Sequence, residues 1–164
     1  MSDEFVVRVS TSPIMTWIIR HISSPLDPLL FRATNGRFTS MGVPSMPMLT
    51  LTVRGRKSGK PRSVHLACLE DNGSFLVVAS AMGQALHPAW SLNLDANPDV
   101  EVQLRGRRFS GVAKVLKSSE KEDIWPSVHR AIPQMKVYEG RTHRSIRVYR
   151  LTPREAQAEL SPFQ

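Results

Sequence analysis

The sequence predicts a mainly β chain whose antiparallel strands close into a barrel decorated by short helices. Three observations predict it. Runs of alternating apolar and polar residues, rich in β-branched side chains, recur between residues 48 and 151. Neighbouring runs are joined by tight turns, too short for the helical crossover that a parallel pair requires. Helical patterns stand between groups of strands instead of after every strand, which argues against a doubly wound parallel sheet.

Each element has its own signal. Residues 13–33 (PIMTWIIRHISSPLDPLLFRA) read as one or two short amphipathic helices broken by Pro25 and Pro28. Residues 34–47, rich in Gly, Ser, Thr and Pro, form a loop. Met48–Arg54 (MLTLTVR) alternates as a strand, and the turn GRKSGKP leads to a second strand over Arg62–Glu70. Asp71-Asn72-Gly73 is a hairpin turn, because Asn-Gly accepts the positive φ of a type I′ turn, so Ser74–Ser80 is the antiparallel third strand. His87–Ala96 reads as a helix with Pro88 in its first turn, where the missing N–H costs nothing, and Asn97-Pro98 ends it. Asp99–Arg105 places Val100, Val102 and Leu104 on one face, and Gly106 turns the chain into a fifth strand over Arg108–Leu116. Ser118 or Ser119, followed by acidic residues, caps a helix over 120–131. Ser145–Leu151 is the last strand, with Thr152 onward a frayed tail. The implied organisation is an N-terminal helical segment (1–33), a barrel (34–152) and a tail (153–164), one domain overall.

Composition narrows the function. Twenty-two Lys and Arg against fourteen Asp and Glu give a net charge of +8, a field that attracts nucleic acid, anionic lipid or a polyanionic small molecule. No helix-turn-helix, zinc-finger or aromatic RNP pattern supports nucleic acid as the partner. The single cysteine, Cys68, excludes an internal disulfide framework and multi-thiolate zinc, and the five histidines show no metal-ligand pairing, so no metal is expected. No apolar run is long enough to span a membrane, and MSDEFVVRVS does not read as a secretory signal, so a cytoplasmic protein is expected. Residues Ile14, Met15, Trp17, Ile18, Ile19 and Ile22 read first as a cap on the barrel's open end, and they also suggest a peripheral membrane contact through the N-terminal helix.

Two segments carry chemistry. Gly55-Arg56-Lys57-Ser58-Gly59-Lys60-Pro61-Arg62 combines glycines that free backbone N–H groups with four cations and a hydroxyl, a donor set suited to phosphate or carboxylate. It is not a P-loop, because three residues separate its glycines and Pro61 follows Lys60. A solvated basic hairpin tip remains the other reading of the same turn. The second segment runs from Ser80-Ala81-Met82-Gly83 to His87-Pro88-Ala89-Trp90: a strand end, a glycine turn and a helix start make a ligand-facing corner. Trp90 also reads as a core residue.

Together with Leu92-Asn93-Leu94 and Ala96-Asn97-Pro98, these segments resemble the deazaflavin-dependent nitroreductase family of actinobacteria over residues 25–151. That family shows G-R-K-S-G-x-P-R, a hairpin, A-S-x-x-G, P-x-W, L-N-L and A-N-P in this order, a set that is specific although no one piece is. The resemblance implies a split β-barrel of the flavin-mononucleotide-binding type. It also implies coenzyme F420 as hydride carrier, with a tail of phosphodiester and glutamates; FMN is the less favoured cofactor. Carried over by position, Arg56, Lys57, Ser58, Gly59, Lys60 and Arg62 hold that tail, Val78, Ala79, Ser80 and Ala81 line the deazaflavin or its linker, and Trp90 and Asn93 flank it. Tyr138 matches a tyrosine on the substrate side and is the candidate proton donor or orienter, with bulk water, or a plain packing role, as alternatives. The chain departs from the pattern at Ala81, where many relatives have lysine, and at Ala67 and Met135, where the nitroimidazole-activating branch has aromatic residues. The implied activity is hydride transfer to a small apolar quinone, enone or nitroaromatic by a monomer or homodimer. A non-catalytic lipid or coenzyme binder on the same fold is the alternative.

Overall fold

The computed structural model describes residues 11–18, 33 and 47–154. Six strands form a closed barrel: β1 (Met48–Arg54), β2 (Pro61–Asp71), β3 (Ser74–Val78), β4 (Asp99–Leu104), β5 (Arg107–Val115) and β6 (Val148–Pro153), in the order β1-β2-β3-β6-β5-β4. All six pairings, including the β1–β4 pair that closes the ring, are antiparallel. The expected antiparallel barrel is thus the observed one. Among the described residues four α-helices decorate it: α1 (Pro13–Ile18), α2 (Ala89–Ala96), α3 (Ser118–Ala131) and α4 (Met135–Gly140).

Alternation sorts the side chains. Leu49, Leu51 and Val53 of β1 meet Val100 and Val102 of β4, Val77 of β3 and Leu151 of β6 inside the barrel. β3 is buried on both faces, which explains its continuous apolar run. Its other face, Leu76 and Val78, packs with Val148 of β6 against Val128 of α3 and Met135 and Tyr138 of α4, forming a second core outside the barrel. Cys68 lies within the barrel, and burial pushes its thiol up to about 11.

Several boundaries differ from the sequence reading. β2 gains Pro61 and Asp71 because the register Arg54↔Pro61 and Asp71↔Ser74 runs to both turns. β3 ends at Val78: the Ala79 N–H turns to the Arg147 carbonyl (2.8 Å), and the left-handed corner follows. α2 starts at Ala89, with Pro88 as the residue before it. Lys117, not a serine, precedes α3; the Glu120 carboxylate accepts its N–H at 3.0 Å, and that bond holds the Glu120 carboxyl below its ordinary range. β6 starts three residues later than expected and runs through Thr152 and Pro153, which pair with β5. The Thr152 carbonyl can approach because Gly111 stands opposite; a β-carbon there would lie 2.6 Å from it. Helix α4 escapes the sequence reading, since six residues between turns carry too little periodicity. The expected helices around Pro25 and Pro28, the loop over most of 34–47 and the tail after Arg154 lie outside the described residues.

Candidate functional site

The β1–β2 turn is built before any ligand arrives. The Gly55 N–H donates to the Lys60 carbonyl (2.9 Å) and the Gly59 N–H to the Gly55 carbonyl (2.7 Å), with Gly59 at φ +67°. The turn is then tied to α2. Asn93 is buried, and its Oδ1 accepts both the Arg56 backbone N–H (3.1 Å) and Arg56 Nη1 (3.2 Å). A groove of about 390 Å³ lies between the two elements, lined by Arg56, Lys57, Ser58, Arg62, Trp90 and Asn93 among others. None of its lining residues is acidic. The arrangement offers several cations, a hydroxyl and one aromatic edge on a fixed loop, which suits an elongated anion.

Trp90 has two tasks. Its ring packs into the barrel core at 5.5 Å and 60° to Tyr149, while its edge reaches the groove. Lys60 and Gly59 are exposed and do not line this groove.

The second segment forms a left-handed corner. Ala81, Met82 and Gly83 have φ of 47°, 55° and 79°. The chain then passes through Gln84–Pro88 into α2, whose first residues Ala89 and Trp90 line the groove, so corner and groove flank one helix start. The side chains of Val78 and Ala79 are taken up by the two cores, leaving Ser80 and Ala81 part-exposed at the corner. Tyr138 belongs to the second core and is 9% exposed; burial raises its phenol above its ordinary value, with Arg141 opposing. Its helix abuts the corner: a β-carbon on Gly83 would lie 2.7 Å from the Tyr138 carbonyl. Met135, where one branch of the resembled family is aromatic, is a core residue.

The family model described as F420H(2)-dependent quinone reductase matches residues 28–153. The chain belongs to this family. A curated member of the F420H(2)-dependent quinone reductase family from Mycobacterium tuberculosis is 34% identical over 147 residues, covering 86% of this chain and 99% of the relative. A solved F420-H2 dependent reductase is 37% identical, covers 64% of this chain and 93% of its own, and superposes with a TM-score of 0.59. A second, titled as a domain-swapped dimer, is 34% identical, covers 78% and 99%, and has a TM-score of 0.62. F420H(2)-dependent quinone reductases are oxidoreductases, in keeping with the coenzyme and hydride-transfer class that the motif set implies. The family description places its acceptors with quinones.

In this member of the family, two residues that sequence reasoning passed over organise the corner and the helix. Arg144 donates from Nη2 to the Ser80 carbonyl (2.6 Å) and from Nε to the Gln84 carbonyl (2.9 Å). Arg147 pairs with Asp95 of α2, whose Oδ1 also lies 2.9 Å from the Tyr149 hydroxyl. His87, beside them, is held below its ordinary value by burial and by Arg147 and Arg144, so it stays neutral at neutral pH. The signal available in the sequence was THRSIR, of which Ser145–Arg147 read only as the start of the last strand and Arg144 carried no role of its own. Among the described residues no group of three or more His, Cys, Asp or Glu could hold a metal.

Proposed function

We propose that this chain takes a hydride from reduced coenzyme F420 and delivers it to a quinone-type acceptor, with the coenzyme's anionic tail held by the Gly55–Arg62 turn. The observation that carries this reading is the acid-free groove in which Arg56, Lys57, Ser58 and Arg62 face Trp90, on a loop fixed by Asn93. Such a donor set fits a phosphodiester and carboxylates. Lys60, exposed on the turn, adds to the field. Ser80 and Ala81 receive the linker or ring edge at the corner, and Val78 and Ala79 shape it from behind through their backbone.

When bound, the reduced deazaflavin supplies two electrons and a hydrogen as hydride. The protein's residues bind, orient and exclude water. A quinone that gains a hydride becomes a hydroquinone anion and takes one proton. Tyr138, on the helix beside the corner, is our candidate to supply or direct it, with bulk water as the alternative; burial raises its phenol above the ordinary value. Two further features follow the same reading. A homodimer is in keeping with the domain-swapped relative. A peripheral membrane contact is supported by Ile14 and Trp17 of α1, which are 75% and 57% exposed. Among the described residues no helix is long and apolar enough to cross a membrane. Full-length protein that never co-sediments with anionic vesicles at low salt would remove that contact.

The test is anaerobic turnover of reduced F420 against a menaquinone-type quinone, an enone and a nitroaromatic. Oxidation of the coenzyme with the quinone is expected. Lys57→Ala and Arg62→Ala should each weaken coenzyme binding about 10- to 150-fold, the range of one charge-assisted contact, and added salt should weaken it further. Failure to bind or oxidise F420 would leave a lipid-binding barrel instead.

A further inference from the structure

The corner is an unfavourable piece of backbone. Ala81, Met82 and Gly83 lie in the left-handed region in succession, and two of them carry a β-carbon. For each such residue that region is disfavoured about 5- to 30-fold in population. Within the corner, only two backbone bonds oppose this among the described residues: Gly83 N–H to Ser80 carbonyl (3.0 Å) and Gln84 N–H to Ala81 carbonyl (3.1 Å).

One side chain spans the whole turn from outside. Nε and Nη2, the parallel edge of a guanidinium that usually grips a carboxylate, are spent by Arg144 on the carbonyls at its two ends, Gln84 (2.9 Å) and Ser80 (2.6 Å). Thr142 Oγ1 donates to the same Gln84 carbonyl (3.3 Å) and accepts the Arg144 backbone N–H (3.4 Å). No carboxylate pairs with Arg144 among the described residues. Gly83 is wedged beneath the same strap, with the Tyr138 carbonyl and Arg141 Cβ so close that no β-carbon fits. A strap from α4 to β6 therefore holds the turn in shape, and its fork is Arg144.

We propose that Arg144 is a positioning residue for the coenzyme: it clamps the left-handed turn Ser80–Gly83 in the shape that receives the ligand, and so sets coenzyme affinity by preorganisation. This rests on the reading that Ser80 and Ala81 face F420. The corner also abuts the helix that carries Tyr138, through Gly83, while Arg144 itself bonds the carbonyls of the corner.

Glycine rescue tests it. Oxidised F420 is titrated by fluorescence against Arg144→Ala, Met82→Gly and the double variant, with KM for quinone and Tm recorded beside each. Arg144→Ala should raise the coenzyme Kd about 10- to 100-fold, the effect of releasing one or two left-handed residues, with KM for quinone little changed. Met82→Gly should restore about 5- to 30-fold of that loss in the double variant, because glycine carries no left-handed penalty. A residue that acted by charge, or only by supporting the global fold, would not be rescued by a glycine at Met82. Arg144→Lys, whose single ammonium cannot fork across both carbonyls, carries the same test if the alanine variant does not fold. Wild-type affinity in the Arg144 variants, or a loss that Met82→Gly leaves untouched, overturns the clamp. Lys57→Ala is run in parallel: if it weakens binding and Arg144→Ala does not, the clamp alone falls; if neither does, the coenzyme reading falls as well.

Discussion

Replacing Asn93 by Ala and by Asp separates two contributions of one side chain. Asn93 Oδ1 accepts the Arg56 N–H and Arg56 Nη1, at 3.1 and 3.2 Å, and the residue is 5% exposed. Asn93→Ala deletes both bonds. A neutral bond is worth about 0.5–1.5 kcal/mol and one to a charged donor about 1.5–3 kcal/mol, and Arg56 is exposed enough for water to recover part of this. A stability loss of about 1–3 kcal/mol is expected, together with weaker coenzyme binding as the turn loses its tie. Asn93→Asp keeps an acceptor in the same place and gives Arg56 a better partner, so Tm should stay close to wild type. Yet it puts a carboxylate on the wall of a groove read as anion-binding. A phosphate oxygen about 6 Å away, at an effective dielectric of about 20–40, meets about 1.4–2.8 kcal/mol of repulsion, or about 10- to 100-fold in Kd. The assay is fluorescence titration of F420 at two salt concentrations with a thermal melt on each variant. Salt should narrow the gap in affinity between the Asn93→Asp variant and the wild-type protein. An Asn93→Asp variant that binds the coenzyme as tightly as wild type would refute the placement of an anionic group against this turn.

Gly83→Ala should lower stability by about 2–4 kcal/mol by differential scanning calorimetry, since the methyl adds overpacking to a left-handed penalty; its β-carbon would lie 2.6 Å from Arg141 Cβ at a φ of +79°. An unchanged melting temperature would mean that the strap yields. Cys68, 3% exposed with its thiol pushed up to about 11, should resist thiol reagents at about pH 8, where an ordinary cysteine near 8.5 reacts readily. Fast stoichiometric labelling of the native protein would contradict that burial. Tyr138→Phe should leave coenzyme affinity intact and lower kcat with quinone about 100-fold or more if the phenol delivers the proton. Because burial raises that phenol, the wild-type rate should stay level until pH passes the ordinary tyrosine value near 10. Equal kcat in the phenylalanine variant assigns the proton to water.

Local features were legible in the sequence because neighbours in the chain generate them. The alternation in MLTLTVR and DVEVQL set which faces of β1 and β4 point inward, and Asn72-Gly73 fixed the β2–β3 hairpin, with Asn72 at φ 49° and Gly73 at φ 78°. What failed was decided at a distance. Thr152 and Pro153 read as a tail because nothing local says that Val112 and Gly111 will pair with them. Ser145–Arg147 carried β-branched and cationic residues fit for a strand, but the Arg147 side chain is drawn to Asp95 and the chain joins the ladder only at Val148. Ser118 and Ser119 looked like caps, yet the helix starts two residues earlier than expected, at Ser118, because Glu120 reaches back to the Lys117 N–H.

The site divides along the same line. Arg56, Lys57, Ser58 and Arg62 are contiguous or nearly so, so their shared charge was visible in the sequence, and the fold had only to turn them toward Trp90. The residues that fix them were not visible. Asn93 bonds Arg56 across 37 positions, and Arg144 bonds Gln84 and Ser80 across 60 and 64. A motif records which groups can touch a ligand, because those groups sit together on a turn. It does not record what holds the turn still, because a closed antiparallel barrel brings that support from strands distant in the chain. Here the non-glycine residues Ala81 and Met82 at positive φ mark where support is required, and the arginine that supplies it holds the carbonyls at the two ends of that turn.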